Sequence, residues 1–155
     1  MAVLLMRHGE AGESGPQWPD DRLRPLTNAG RKESRRAGEL VAALGWRPAH
    51  AIASPYLRTQ ETAEEFLAAF KKPPTIEAEP ALQPGGRIQL VLDRIHDTPP
   101  DALLYLCGHQ PEMGRLADEL GIAVDFKKGA LALLQARKSG RLPRLSLFIE
   151  PSAWQ

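Results

Sequence analysis

The sequence has a single cysteine and no long apolar run, and these two absences narrow the class of protein. One thiol, Cys107, cannot form an intrachain disulfide, which excludes a disulfide-stabilised secreted domain and favours a reducing cytosol. The apolar stretch Ala2–Met6 is far shorter than a membrane span or a signal-peptide core, and no basic leader or small-residue cleavage site accompanies it. We therefore expect a soluble, cytoplasmic and unprocessed chain.

The sequence also lacks an excess of either charge. Twenty Lys and Arg residues stand against nineteen Asp and Glu residues, a formal net charge of +1, which gives no general reason to expect nucleic acid or a membrane as partner. Neither a GxxxxGK[ST] loop nor a GxGxxG loop occurs, so nucleotide binding through these motifs has no support. We expect no cofactor, and any recognition of anions must be local.

What is present is an alternation of short apolar runs with longer amphipathic ones. With 155 residues, 43% of them hydrophobic, the chain can bury one sizeable core, and we expect a single domain over residues 1–155. The alternation predicts an α/β protein built around a largely parallel sheet. The predicted strands are Ala2–Met6, Ala51–Ala53, Thr75–Ala78, Leu103–Cys107, and an antiparallel pair at Ala130–Ala136 and Arg144–Ile149.

Four helices are predicted between these strands. The first is Asn28–Leu44, with Thr27 as its N-cap and Gly45 as its stop, and the second begins with Pro55 at its first position. Shorter helices are predicted at Ile88–Ile95 and Glu112–Leu120. The irregular stretches Gly9–Leu26 and Lys71–Leu82 are long for a small domain, which is typical of active-site borders.

Polar residues follow three of the predicted strands where each strand ends. Arg7, His8 and Gly9 follow the first strand, Ser54 and then Arg58 follow the second, and His109 follows the fourth. Ligands of open α/β sheets bind beyond the carboxyl ends of the strands, so these side chains are expected to converge there. A cluster of cations without carboxylates is costly unless an anion completes it, and phosphate suits the planar arginine fork.

His8 is the predicted nucleophile of this cluster. Neighbouring arginines lower the pKa of an imidazole, which leaves it neutral and able to attack phosphorus with one nitrogen. Arg7 would bind the phosphoryl group, and Gly9 would let the phosphate approach the backbone. His50 and His96 have no such setting and are interpreted as surface or strand-edge residues, and Cys107 as a buried hydrophobe without chemistry.

A metal site is not predicted. His109 and Glu112 are spaced for one face of a helix, but no third ligand has suitable spacing.

Four segments, which together span roughly residues 1–121, resemble the SixA-type phosphohistidine phosphatases of the histidine phosphatase superfamily: LLMRHGEAG, RPLTNAGRKESRRAGELV, ASPYLRTQETAE and LCGHQPEMGRLA. The resemblance implies a phosphoglycerate mutase-like fold, a three-layer α/β/α sandwich whose six-stranded sheet is mostly parallel with one antiparallel strand. It also implies that His8 is the phosphorylated nucleophile, that Arg7 and Arg58 bind the phosphoryl oxygens, and that His109 completes the pocket. We count Gly9 and Ser54 among the substrate-binding candidates.

The chain departs from the superfamily in the segment that carries a general acid in mutases and many phosphomonoesterases. It reads LQPGGRIQ at Leu82–Gln89, with no acid, although Glu10, Glu77 or Glu79 could reach the pocket. An imidazole leaves more readily than an alcohol because its reference pKa is only about 6.5. The missing acid therefore favours phosphohistidine in a protein as the substrate. The alternatives are a small phosphorylated metabolite and a phosphate-binding regulatory module without turnover.

A basic stretch near the end of the sequence has two interpretations. Residues 127–149 contain six cationic side chains and no acidic one, namely Lys127, Lys128, Arg137, Lys138, Arg141 and Arg144. Ordinary solvation of a β-hairpin explains them, and the alternative is a patch that meets an acidic face of a phosphorylated protein.

Overall fold

The architecture comes from a computed structural model that describes residues 1–137 and 142–151. The strands in these ranges are β1 (Ala2–Arg7), β2 (Pro48–Ala53), β3 (Ile76–Ala78), β4 (Leu103–Gly108), β5 (Leu131–Gln135) and β6 (Arg144–Ile149). The α-helices are α1 (Asn28–Ala43), α2 (Leu57–Leu67), α3 (Ile88–Asp97) and α4 (Glu112–Glu119). Two short 3₁₀ helices lie at Asp21–Leu23 and Pro80–Leu82.

All six strands form one sheet in the order β3-β2-β4-β1-β5-β6. Strands β1 and β2 each pair in parallel with β4, and β2 also pairs in parallel with β3. Strand β5 is antiparallel to both β1 and β6, so β5 alone of these six strands runs against the others. The predicted mostly parallel, six-stranded α/β sheet is confirmed, and the carboxyl ends of β1, β2 and β4 meet at one edge.

Helices cover both faces of the sheet, which makes three layers. The side chains of Leu4 and Met6 pack with apolar residues of α1 and α2, whereas those of Val3 and Leu5 pack with α3 and α4. Successive side chains of a strand point to opposite faces, so a strand buried on both faces must be apolar at every position. This requirement explains the unbroken apolar run that precedes Arg7.

Two glycines of α1 allow close backbone contacts. A Cβ atom on Gly38 would collide with the backbone of Phe66 in α2, and one on Gly30 would collide with the backbone of Glu10. The first contact sets the distance between α1 and α2. The second brings the segment that follows β1 down onto α1, and so fixes the chain direction directly after His8.

The predicted helices are confirmed, and their ends differ by a few residues. Thr27 caps α1 as predicted, because its side chain accepts a hydrogen bond from the N–H of Gly30, and Gly45 follows the helix with φ of +86°. The prediction for Pro55 is wrong: α2 begins at Leu57 with Tyr56 as its N-cap. Pro55 instead lies in the connection by which the chain leaves β2.

Within residues 1–137 and 142–151, no helix combines the length and the apolar character that crossing a membrane requires.

Candidate active site

His8 directly follows β1 at the carboxyl edge of the sheet and is 6% exposed. Its N–H donates to the carbonyl of Gly108 at 3.0 Å, and its own carbonyl accepts from the N–H of Gly129 at 2.9 Å. The ring Nδ1 lies 2.8 Å from the carbonyl oxygen of Gly9. Because a carbonyl oxygen can only accept, a neutral His8 ring carries its proton on Nδ1 and has its lone pair on Nε2.

Two arginines lie in this site with donors to spare. Arg7 ends β1, and its Nη1 donates to the carbonyl of Phe126 at 2.9 Å. Arg58, in the first turn of α2, donates from Nη1 to the carbonyl of Asp21 at 3.0 Å and from Nη2 to its carboxylate at 3.1 Å. The Nε atoms of Arg7 and Arg58 are buried and have no hydrogen-bond partner within the described part of the chain. An anion between the two guanidinium groups would satisfy them.

His109 follows β4 and faces His8. It is 2% exposed, and its ring centre lies 5.2 Å from that of His8 with an angle of 60° between the ring planes. Its Nε2 lies 2.9 Å from Oγ of Ser54, and its Nδ1 is buried without a partner among the described residues. The ring of Tyr56 packs edge-on against His109 at 5.0 Å.

These side chains share a cavity of about 690 Å³. Four of the predicted residues line it, namely Arg7, His8, Arg58 and His109. The other lining residues are Ala11, Gly12, Glu13, Ser14, Asp21, Arg24, Pro84, Gln110 and Lys128. Six of these nine belong to the irregular stretch Gly9–Leu26. The length of that stretch predicted an active-site border, but nothing in its sequence indicated which of its residues would line the cavity.

The two remaining candidates, Gly9 and Ser54, do not line the cavity. The N–H of Gly9 donates to Oγ1 of Thr62 at 3.0 Å, and a Cβ atom on Gly9 would lie 3.1 Å from Oγ of Ser34. The absence of a side chain at Gly9 therefore allows its close packing against α1. Ser54 is fully buried behind His109.

Both histidines of the site are held neutral at pH 7. Burial lowers the pKa of His8 to about 4; the hydrogen bond to the carbonyl of Gly9 opposes this shift, and the charges of Arg58, Arg7 and Arg24 add smaller contributions in the lowering direction. Burial, and after it His8 and Arg58, lowers the pKa of His109 to about 3. The predicted direction for His8 agrees, but burial contributes more than the arginines on which the sequence argument relied.

None of the three carboxylates considered as general acid lines the cavity. Glu77 forms an ion pair with Arg94 at 2.7 Å, and Glu79 accepts from the N–H of Ala81 at 2.9 Å. Glu10 is exposed and lies outside the cavity wall. These positions leave Glu10, Glu77 and Glu79 without a place beside the cationic cluster.

Two other carboxylates do line the cavity, and they differ in their partners. Asp21 is paired with Arg58 and with Nε of Arg24 at 2.8 Å, and the pKa of its carboxyl group is lowered mainly by its hydrogen bond from Arg24. Glu13 is exposed and has no ion pair in the described ranges. Of the two lining carboxylates, Glu13 is therefore the one whose side chain forms no ion pair within the described residues.

Other chemically capable side chains lie away from this site. Among the residues that the structure describes, no three His, Cys, Asp or Glu side chains are grouped closely enough to hold a metal ion. Cys107 is fully buried, and burial raises the pKa of its thiol to about 12. His50 and His96 are exposed, as predicted. Glu112 accepts a hydrogen bond from the N–H of Gly85 at 2.9 Å, next to the cavity rim at Pro84.

The predicted basic stretch is divided by the hairpin. Lys128 lines the cavity, and Nζ of Lys127 lies 4.0 Å from the carboxylate of Glu150. Arg144 pairs with Gln135 at the opposite end of β5, four residues from the site end of that strand. Lys138 and Arg141 lie outside the described residues. Among the described cationic residues of this stretch, those at the Lys127 end are therefore the ones adjacent to the site.

Comparison with known proteins identifies the family of this site. The model of the histidine phosphatase superfamily (branch 1) matches residues 3–83. An uncharacterized protein of Picosynechococcus sp. is 32% identical over 143 residues, which cover 88% of this chain and 86% of the relative. The phosphohistidine phosphatase SixA of Escherichia coli is 31% identical over 122 residues, which cover 77% of this chain and 74% of SixA.

The fold gives the same result. A structure of the protein histidine phosphatase SixA complexed with tungstate superposes with a TM-score of 0.88 at 28% identity, and the match covers 100% of both chains. These matches show that the chain belongs to branch 1 of the histidine phosphatase superfamily and is a phosphatase that acts on a phosphorylated substrate.

Proposed function

We propose that this phosphatase removes the phosphoryl group from phosphohistidine in a protein, through a phosphorylated His8. The Nε2 lone pair of His8 attacks phosphorus, and the bond from phosphorus to the substrate imidazole breaks as that imidazole takes up a proton from solvent at the exposed rim. Water then attacks the phosphorus on His8, releasing inorganic phosphate and restoring the free ring. The hydrogen bond from Nδ1 to the carbonyl of Gly9 is the observation that carries this proposal, since it leaves Nε2 unprotonated.

The arginines and His109 are proposed to hold the phosphoryl oxygens during both steps. The unpartnered Nε atoms of Arg7 and Arg58 and the unpartnered Nδ1 of His109 support this assignment. A transferring phosphoryl group carries its charge on the non-bridging oxygens, so fixed donors at those oxygens stabilise the transition state. The positive charges are part of the folded site, and we propose that no metal or other cofactor is required.

Two observations support a protein substrate. The named relative SixA of Escherichia coli is a phosphohistidine phosphatase. The cavity is bordered by loops of the sheet edge, including the exposed residues Glu13, Ser14 and Lys128. A rim of this kind leaves room for a phosphorylated side chain that remains attached to its own protein.

A second candidate substrate is a small phosphomonoester, and Glu13 is the observation that favours it. An alkoxide leaving group needs a proton from a general acid, whereas imidazole needs far less help. We expect Glu13→Gln to lower kcat/KM for a sugar phosphate by about a hundredfold if Glu13 protonates the leaving group. The same change should have little effect on phosphohistidine, so a comparison of the two losses distinguishes the two substrates.

The test of the intermediate is a rapid-quench experiment with a phosphohistidine protein. The wild-type enzyme and a His50→Ala control, which changes an exposed histidine of β2, should form an acid-labile, base-stable phosphoenzyme. His8→Ala should form none, while His109→Ala should still form some. Phosphoenzyme of undiminished amount in His8→Ala would contradict the assignment. Turnover of phosphohistidine, phosphoramidate and sugar phosphates in parallel identifies the substrate class.

A further inference from the structure

Ser54 lies behind His109 with almost every polar group already committed. It is fully buried, and its N–H donates to the carbonyl of Cys107 at 3.1 Å. Its carbonyl accepts from Nε2 of Gln60 at 2.9 Å and shares the hydroxyl proton of Thr59, 2.8 Å away, with the carbonyl of Tyr56. Oγ of Ser54 accepts from the N–H of Tyr56 at 3.3 Å. The backbone and the hydroxyl oxygen are therefore both fixed in place.

The hydroxyl proton of Ser54 has one acceptor within reach in the described part of the chain. Among the hydrogen bonds of the described residues, the one other partner of Oγ is Nε2 of His109, at 2.9 Å. If Nε2 carried a proton and donated it to Oγ, the proton of the fully buried Ser54 hydroxyl would have no acceptor among the hydrogen bonds of the described residues, which is unfavourable. The arrangement that satisfies both groups has Ser54 donating to an unprotonated Nε2.

This direction determines what His109 can offer to an anion. A neutral imidazole with an unprotonated Nε2 carries its proton on Nδ1, the nitrogen that is buried without a partner. In the site without an anion, burial and the neighbouring His8 and Arg58 lower the pKa of His109 to about 3, so the ring that meets the phosphoryl group is neutral. The tautomer of this neutral ring decides whether the group beside His8 donates a hydrogen bond or repels a phosphoryl oxygen with its lone pair.

We infer that Ser54 is a positioning residue that holds neutral His109 in the Nδ1–H tautomer, so that this N–H donates to the phosphoryl group. The inference rests on the proposed role of His109 in binding phosphate, but not on the identity of the substrate. It reassigns Ser54, which the sequence placed in direct contact with substrate. The ring of Tyr56 also packs edge-on against His109, with 5.0 Å between the ring centres.

The test combines ring-nitrogen NMR with the binding of inorganic phosphate. In protein labelled with ¹⁵N-histidine, two-bond ¹H–¹⁵N spectra should show His109 protonated on Nδ1 in the wild type and a shift towards Nε2–H in Ser54→Ala. Phosphate should bind about tenfold to a hundredfold more weakly to Ser54→Ala, as expected for one hydrogen bond to a charged group. Ser54→Thr, which keeps the hydroxyl, should recover the wild-type tautomer.

Ser34→Ala is the matched control. Ser34 is also fully buried, but its hydroxyl donates to the carbonyl of Gly30 within α1 at 2.7 Å. This variant should lose stability without changing the His109 spectrum or phosphate binding.

An Nε2-protonated His109 in the wild type would overturn the inference, and so would a Ser54→Ala spectrum identical to the wild type. If Ser54→Ala does not fold, the wild-type spectrum decides. Activity only on sugar phosphates would refute the proposed substrate and leave these readouts unchanged.

Discussion

Replacing Arg58 with lysine keeps the positive charge of the site and removes the planar set of guanidinium N–H donors. Arg58 is 5% exposed, and two of its N–H groups are used by the carbonyl and the carboxylate of Asp21. Its guanidinium carbon also lies 4.9 Å from the centre of the Tyr56 ring. An arginine has five N–H donors, so about three remain for phosphate, whereas a lysine that kept both Asp21 contacts would have about one.

The magnitude follows from the donors that are lost. Removing one fixed donor from a developing oxyanion costs about 3 kcal/mol, which is roughly a hundredfold in rate. We therefore expect Arg58→Lys to lower kcat/KM by about a hundredfold or more, and to weaken phosphate binding as well. The assay is steady-state turnover of phosphoramidate, combined with calorimetric titration of inorganic phosphate.

The control for this prediction is Arg35→Lys. The Arg35 side chain is 55% exposed, and it pairs with Glu65 at 2.8 Å on the outer surface of α1 and α2. This variant should retain wild-type activity. Arg58→Lys with a kcat/KM close to that of Arg35→Lys would refute the argument that a planar fork of donors is required, and a point charge would then suffice.

Three further predictions concern stability and metal. Gly38→Ala should lower the free energy of unfolding in urea by about 3 kcal/mol, because its methyl group overlaps the backbone of Phe66, whereas Gly114→Ala meets only the flexible Gln110 and should cost little. The pKa values of His8 and His109 are about 4 and about 3 in the folded state, against about 6.5 in the unfolded state. As pH falls below about 6.5, the unfolded state therefore binds protons that the folded state does not, and the free energy of unfolding should fall until about pH 4 or lower. His8→Ala should flatten that decline. Activity should persist in EDTA, and restoration of a chelated enzyme by added zinc or magnesium would contradict a metal-independent site.

The sequence alone determined the elements whose signals are local. The apolar run before Arg7 predicted the first strand, and Thr27 predicted the start of α1, because a capping side chain acts within a few residues of its own position. The positions of the predicted strand ends also indicated which arginines and histidines lie close together, since parallel strands bring their carboxyl ends to one edge of the sheet. Arg7, His8, Arg58 and His109 were found in this way.

The tertiary structure decided the contacts between residues far apart in the chain. Asp21 pairs with Arg58 across 37 positions and Ser54 contacts His109 across 55, and no periodicity or local motif records such a pair. The carboxylates near the cavity differ from those predicted for the same reason. Glu77 forms an ion pair with Arg94 away from the site, whereas the loop after His8 places Glu13 at the cavity. Spacing along the sequence predicts which residues share an element, but the packing of the elements decides which groups face one another.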